Sequence, residues 1–211
     1  MQIYQLPLGA LQTNCYIIAG NDGRAVVIDP ASVTEVEMFV NTHGLTIGTI
    51  IITHGHYDHF AGAATLQQKT GARILASAPD AEMYSSAAKS WADFMPVSFQ
   101  PIKPDLLFSD GESFTAEGLS LRVMAAPGHT AGSCLLFLEN EGETVIFCGD
   151  VIFAGAVGRT DGFSGNTRQM LDSLEKIAQL PGDYKIYPGH GSTTTLSYEL
   201  DNNPYLGRYR A

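Results

Sequence analysis

A chain of 211 residues with 12 Lys and Arg against 22 Asp and Glu carries a formal net charge of -10, and 45% of it is hydrophobic. That length fits one compact domain, expected over residues 1–211, with ample material for a core and no compositional sign of disorder. The acidity and the lack of any Lys/Arg cluster argue against a nucleic-acid partner, and no run approaches the roughly 20 apolar residues of a membrane span.

In chain order, the opening segment predicts three strands, Ile3–Leu8, Cys15–Ala19 and Ala25–Ile28, punctuated by Gly9, Gly20–Gly23 and Pro30. Val33–His43 has helical spacing, and Ile47–Thr53 is a β-branched run of the kind buried on both faces. Phe60–Lys69 reads as a helix ended by Gly71, Arg73–Ala76 as a short strand, and Pro79 as the start of a further helix. Ser90–Pro104, with three prolines and the only tryptophan, Trp91, reads as a surface loop or flap that could act as a lid or a dimer contact. Strands are then expected at Leu107–Phe108, Ser113–Phe114, Leu119–Ala125, Ser133–Leu138 and Thr144–Phe147. A Gly-rich loop over Gly155–Gly165 precedes a helix over Asn166–Gln179, a strand at Tyr184–Tyr187 and a closing helix at Thr195–Asn202. Two β-rich blocks, each followed by helices, fit two sheets packed face to face with helices outside, although periodicity leaves other α/β architectures open.

The first residues lack a cationic region followed by an apolar stretch, so no secretory signal is expected. Cys15, Cys134 and Cys148 are too few and too scattered for a disulfide framework and read as buried thiols of a cytoplasmic protein.

Five of the six histidines carry the chemistry. His54, His56 and His59 cluster around Asp58; His129 and His190 each follow Pro-Gly; Asp150 follows Cys148-Gly149. Each group comes directly after a predicted strand, so four strand ends would deliver imidazole or carboxylate to a single edge of the sheet, where α/β folds place ligands. His54 and His56 can point to one ion, and Asp58 and His59 can serve a second. Zinc accepts this mixture of nitrogen and oxygen donors. Two ions roughly 3.5–4 Å apart would share a water, lower its pKa and clamp a developing oxyanion. His43, at a helix end before Gly44, reads as a surface residue favoured by the helix dipole.

The pattern His54-X-His56-X-Asp58-His59 with later His129, Asp150 and His190 resembles the metallo-β-lactamase superfamily, over Asn14 to about Pro204. The resemblance implies a four-layer αββα sandwich, one metal site of His54, His56 and His129, a second of Asp58, His59 and His190, and Asp150 as the bridge. Flavodiiron members carry Glu where this chain has His56, and secreted β-lactamases carry Cys where it has Asp150. Members that process RNA add a basic arm or a large insertion, for which this chain has no room. Cys148-Gly149-Asp150, Gly158-Arg159-Thr160-Asp161 and Pro188-Gly189-His190-Gly191 are similar to glyoxalase II, the hydroxyacylglutathione hydrolases, in their shorter bacterial form.

That likeness implies a thioesterase for a small-molecule substrate such as S-D-lactoylglutathione, with two divalent ions, zinc first and iron or manganese as alternatives. Asp58 would orient the attacking water and accept a proton. Arg159 would receive a substrate carboxylate, or else pair with Asp161 or Glu112. Glyoxalase II has a further C-terminal helical region supplying basic residues; here only Arg208 and Arg210 could take that part. The rival readings are a persulfide dioxygenase with one iron on His54, His129 and Asp150, a lactonase or other ester hydrolase, and a non-catalytic metal-binding protein.

Overall fold

Apolar side chains occupy both faces of most strands, and this double burial dictates the layering. In the computed structural model, which describes residues 1–140 and 142–209, the first half holds β1 (Gln2–Leu8), β2 (Thr13–Ala19), β3 (Arg24–Ile28), α1 (Thr34–Thr42), β4 (Thr46–Ile52), α2 (Tyr57–Phe60), α3 (Ala63–Thr70), β5 (Arg73–Ser77) and β6 (Leu106–Phe108). The second holds β7 (Ser113–Ala116), β8 (Leu119–Ala125), β9 (Cys134–Asn140), β10 (Glu143–Gly149), β11 (Ile152–Phe153), β12 (Ala156–Val157), α4 (Thr167–Ala178), β13 (Lys185–Pro188), β14 (Thr194–Thr195) and α5 (Leu196–Asn202). Strands β1 to β6 form one six-stranded sheet in chain order; β14, β13, β10, β9, β8 and β7 form the other, in that order.

Alternation at a period of two sorts the strand residues between layers. Tyr16, Ile18, Val26, Ile28 and Ile51 of the first sheet meet Leu121, Val123, Leu136, Leu138, Val145 and Phe147 of the second in a core between the sheets. The intervening residues Ile17, Val27, Ile50 and Ile52 point the other way, into a second core under α1 and α3 with Val36, Val40 and Leu66. Leu135, Phe137 and Ile146 do the same beneath α4 and α5, against Met170, Leu174, Ile177 and Leu196. Helix α4 begins where the Asn166 side chain accepts the Gln169 N–H at 3.1 Å, a standard N-terminal cap. The result is a four-layer αββα sandwich.

Strand β9 is antiparallel to both β8 and β10, and β13 is parallel to β10, so the C-terminal ends of β8, β10 and β13 share one edge. The end of β4 arrives there from the other sheet: the Cys134 thiol reaches Thr53 O at 3.4 Å. The expectation of a single edge of one sheet is therefore corrected, because the four strand ends belong to two stacked sheets.

Three other expectations differ. The helix expected over Phe60–Lys69 is broken into α2 and α3 at Gly62, whose N–H donates to Pro30 O at 2.8 Å. Pro79 opens only a 3-10 turn, Ala78–Asp80, which does not continue into an α-helix. The Gly-rich stretch contributes β12, paired with β11. By contrast Gly71 ends α3 with a φ of 72°, as the sequence suggests.

Phe147, fully buried in the central core, lies 5.1 Å from the ring of Tyr16 and 5.0 Å from that of Tyr187. Phe147→Ala should therefore lower the unfolding free energy by about 3–5 kcal/mol in denaturant titrations. A loss under about 1 kcal/mol would contradict the central place given to this layer.

Candidate metal centre

All of the histidines and aspartates picked out by the motif converge at the shared edge. His54 and His56 lie in the turn after β4, Asp58 and His59 in the first turn of α2, His129 after β8, Asp150 after β10 and His190 after β13. His56 Nδ1 stands 3.2 Å from His54 Nε2 and 2.8 Å from His129 Nε2. On the other side, Asp58 Oδ2 is 3.4 Å from both His59 Nε2 and His190 Nε2. Asp150 lies between the two groups: Oδ1 is 3.4 Å from His59 Nε2, and Oδ2 is 3.5 Å from both His129 Nε2 and His190 Nε2. Three overlapping triads result: His54/His56/His129, His54/His59/Asp150 and Asp58/His59/His190.

The donor atoms suit cations. Among the described residues, His59 Nε2 and Asp150 Oδ1 are buried without a hydrogen-bond partner. Groups of that kind are normally satisfied by protein, water or an ion. Three imidazole nitrogens facing one another also bring lone pairs together, which is favourable only with a cation or a shared proton among them.

Backbone geometry makes the approach possible. Gly149 has a φ of 47°, turning the chain so that Asp150 faces inward. At Gly189 a Cβ would lie 2.1 Å from Asp150 Oδ1, so no side chain fits there.

Hydrogen bonds fix the rings from behind. Asp29 accepts from Thr53 N (2.8 Å), Thr53 Oγ1 (2.7 Å) and His59 Nδ1 (2.9 Å), while Thr53 Oγ1 lies 3.1 Å from His54 Nδ1. His129 Nδ1 donates to Arg159 O at 2.7 Å and His190 Nδ1 to Leu11 O at 3.2 Å. Thr13 Oγ1 donates to Asp58 Oδ2 at 2.7 Å. Asp80, also buried, accepts from Gly55 N (2.8 Å), Thr130 Oγ1 (2.6 Å) and Gly132 N (2.7 Å), and so ties the His54–His56 turn to the His129 loop. Sequence reasoning missed Asp29 and Asp80. An acid directly after the apolar strand Ala25–Ile28 was a usable signal for Asp29; nothing in the local pattern marks Asp80.

Charge divides the centre. Burial, reinforced by neighbouring imidazoles, pushes His54 well below the ordinary histidine value and His56 down to about 3. Burial pulls His59 the same way, but Asp58, Asp150 and Asp29 outweigh it and hold the ring well above that value. His190 is likewise raised against burial, to about 9, by Asp150 and Asp58. Burial would lift both carboxylates, yet the adjacent His59 and His190 bring Asp58 down to about 2 and Asp150 well below the usual range. His54 and His56 are thus kept neutral, the form that binds a cation, beside a mixed triad that carries a carboxylate.

A cleft of about 410 Å³, lined by Leu11, Asp58, Ser90, Trp91, Phe94, Met95 and Arg159, adjoins the centre at Asp58, and a second of about 430 Å³ lies over it, bounded by His56, Asp58, His129, Asp150 and His190. The Trp91 loop is therefore a wall of the site. Arg159 is clamped by Asp161 through Nε (2.6 Å) and Nη2 (2.8 Å), and its guanidinium lies 4.7 Å from the Trp91 ring. Of the two salt-bridge partners considered, Asp161 is the one found, while Glu112 accepts from Ser109 N instead. Arg208 sits in the turn Gly207–Tyr209, away from the cleft lining, and Arg210 falls outside the described residues. His43 caps α1 and stacks on Phe39 at 3.9 Å, remote from the centre.

A four-layer αββα sandwich with imidazoles and carboxylates gathered at one edge defines a class of metal-binding hydrolases. The chain belongs to the metallo-β-lactamase superfamily, whose family model matches residues 8–190. It is 33% identical over 210 residues, 98% of each chain, to the hydroxyacylglutathione hydrolase GloC of Haemophilus influenzae. Among solved structures, the BLEG-1 B3 metallo-β-lactamase superposes with a TM-score of 0.90 at 30% identity, covering 97% of this chain and 99% of that one. TTHA1623 in a di-iron-bound form gives 0.80 at 30% identity, over 96% and 100%. ETHE1 from Myxococcus xanthus gives 0.79 at 28%, over 98% and 85%. No helix among the described residues is long and apolar enough to cross a membrane.

Because Asp80 orients ligand-bearing loops on both sides of the all-imidazole triad, Asp80→Ala should weaken metal binding by about 10–100-fold, measured by competition with a chelator. Unchanged affinity in a folded variant would refute this role.

Proposed function

We propose that the chain is a binuclear metallohydrolase that cleaves glutathione-type thioesters such as S-D-lactoylglutathione. The observation that carries this reading is Asp150 set between two complete triads beneath an open cleft. One site takes His54, His56 and His129, the other Asp58, His59 and His190, and Asp150 serves both. Zinc suits the donors best, with iron or manganese as alternatives. The likeness to the Haemophilus influenzae hydroxyacylglutathione hydrolase supports the thioester as substrate class.

Bound ions would supply Lewis acidity and a water acidic enough to ionise near neutrality. The chain's residues do the rest. Asp58, held by Thr13 and lining the cleft, stays ionised and is placed to orient the attacking water and accept its proton. Arg159 lines the same cleft and presents a fixed guanidinium fork to a substrate carboxylate, which would compete with Asp161. Leu11, Trp91, Phe94 and Met95 give the cleft an apolar wall against which an acyl group could pack. A thiolate leaves readily, so no general acid is needed.

A second reading is a mononuclear iron persulfide dioxygenase on His54, His129 and Asp150. It draws on the 3.5 Å approach of His129 Nε2 to Asp150 Oδ2 and on the likeness to ETHE1 from Myxococcus xanthus, a persulfide dioxygenase. One iron per chain with oxygen uptake on glutathione persulfide would select it.

Purified protein should hydrolyse S-D-lactoylglutathione with loss of the thioester absorbance, and a chelator should abolish the reaction. Asp58→Asn should lower kcat by about 10²–10⁴-fold, and Arg159→Ala should raise KM roughly tenfold. His54→Ala should lose metal and activity together. Absence of turnover in zinc-, iron- and manganese-loaded protein would sink the glutathione-thioester assignment.

A further inference from the structure

Four of the five imidazoles in the centre are oriented by a hydrogen bond at the ring nitrogen that faces away from it. His54 Nδ1 has Thr53 Oγ1, His59 Nδ1 has Asp29, His129 Nδ1 has Arg159 O and His190 Nδ1 has Leu11 O. His56 is the exception. Its Nδ1 faces the centre, and its Nε2 is buried with no hydrogen-bond partner among the described residues. Metal-ligating histidines almost always bond through the second nitrogen, which sets tautomer and ring angle.

An indole covers the face of that ring instead. The Trp91 ring lies 4.6 Å from the His56 ring at an interplanar angle of 12°, a parallel stack. The backbone is arranged for it. Ser90 O accepts the Tyr57 N–H at 2.9 Å, which fastens the segment to the start of α2. Trp91 itself adopts a φ of 63°, a left-handed conformation unusual for a bulky residue. Gly162 leaves the room: a Cβ there would lie 2.7 Å from Trp91 Cζ2 and 3.5 Å from His56 Nε2. Arg159 then reaches the same triad twice, through its guanidinium on Trp91 and through its carbonyl on His129.

We propose that Trp91 is the positioning residue for His56, replacing the usual hydrogen bond by a stack, and that with Arg159 it sets the geometry of the His54/His56/His129 site from the cleft side. A flat ring blocks rotation of the imidazole about its Cβ–Cγ bond, and its π-face favours the positive charge that a cation would place on His56. A group bound in the cleft therefore touches, in Trp91 and Arg159, the two residues that orient two of the three ligands.

This inference rests on the metal-centre reading, and its test does not require activity. Metal-free wild type, Trp91→Phe and Trp91→Ala are titrated with Zn²⁺ or Co²⁺ against a competing chelator, with thermal unfolding recorded alongside. Wild type should show two binding steps. Trp91→Ala should weaken one about tenfold or more and leave the other nearly unchanged, and Trp91→Phe should restore it. Because Trp91 is the sole tryptophan, wild-type indole emission should change in the same step and not in the other, a readout independent of whether Trp91→Ala folds. Equal binding in Trp91→Ala and wild type, equal weakening of both steps, or emission insensitive to metal would overturn the proposal. Two wild-type steps with any of these results leaves the metallohydrolase reading standing; no metal binding by wild type removes both.

Discussion

Asp29 Oδ2 takes hydrogen bonds from the Thr53 hydroxyl and from His59 Nδ1, and Oδ1 takes the Thr53 amide. The carboxylate is buried, at the end of β3, with a φ of 52° that turns it away from the strand direction. A buried carboxylate is tolerable only when its lone pairs are filled, and here the donors come from the ligand-bearing loop after β4 and from α2. One group therefore fixes His59 directly and His54 through Thr53, on the two sides of the centre. The parallel pairing of β3 with β4 brings these partners within reach, so sheet register and ring orientation are set together.

This coupling explains why the centre sits where the strands stop. Inside the sheets neighbouring strands spend their backbone groups on each other, and both faces are filled by apolar side chains. Just past the ends, backbone groups are free to bond the second nitrogen of an imidazole, as Leu11 O and Arg159 O do. Loops from different strands also meet there: Asn14 N donates to Gly189 O, and Gly189 N to Gly149 O, each at 2.7 Å. The sandwich supplies rigidity, and its edge supplies unspent hydrogen-bonding capacity.

The sequence made the strands legible because their signal is local. A β-branched run such as Ile47–Thr53 is buried on both sides wherever it lies, and β4 falls within a residue of it. The donor residues were legible for a similar reason, since a histidine or aspartate after Gly at a strand end is unusual in itself. What held them was not. Asp80 bonds residues 25, 50 and 52 positions away, and no window contains that relation. Trp91 lay in a stretch without periodicity, so its stacking on His56 could not be read from spacing, although a lone Trp in an irregular loop marked the place. The Phe60–Lys69 pattern ran through Gly62 because helical periodicity does not register the Pro30 carbonyl that captures the Gly62 amide.

The two halves of the centre are held by different physics. On the Asp58/His59/His190 side, opposite charges attract, so burial and pairing oppose each other and the pairing wins. On the His54/His56/His129 side no carboxylate belongs to the triad, and burial and neighbouring imidazoles both disfavour protons on His54 and His56. Without a carboxylate to draw them together, the three rings rely on external supports, and these are the Thr53 hydroxyl, the Arg159 carbonyl and the Trp91 face. Two of those three belong to residues that line the cleft. The side of the centre least able to organise itself is thus the side whose supports belong to the cleft wall.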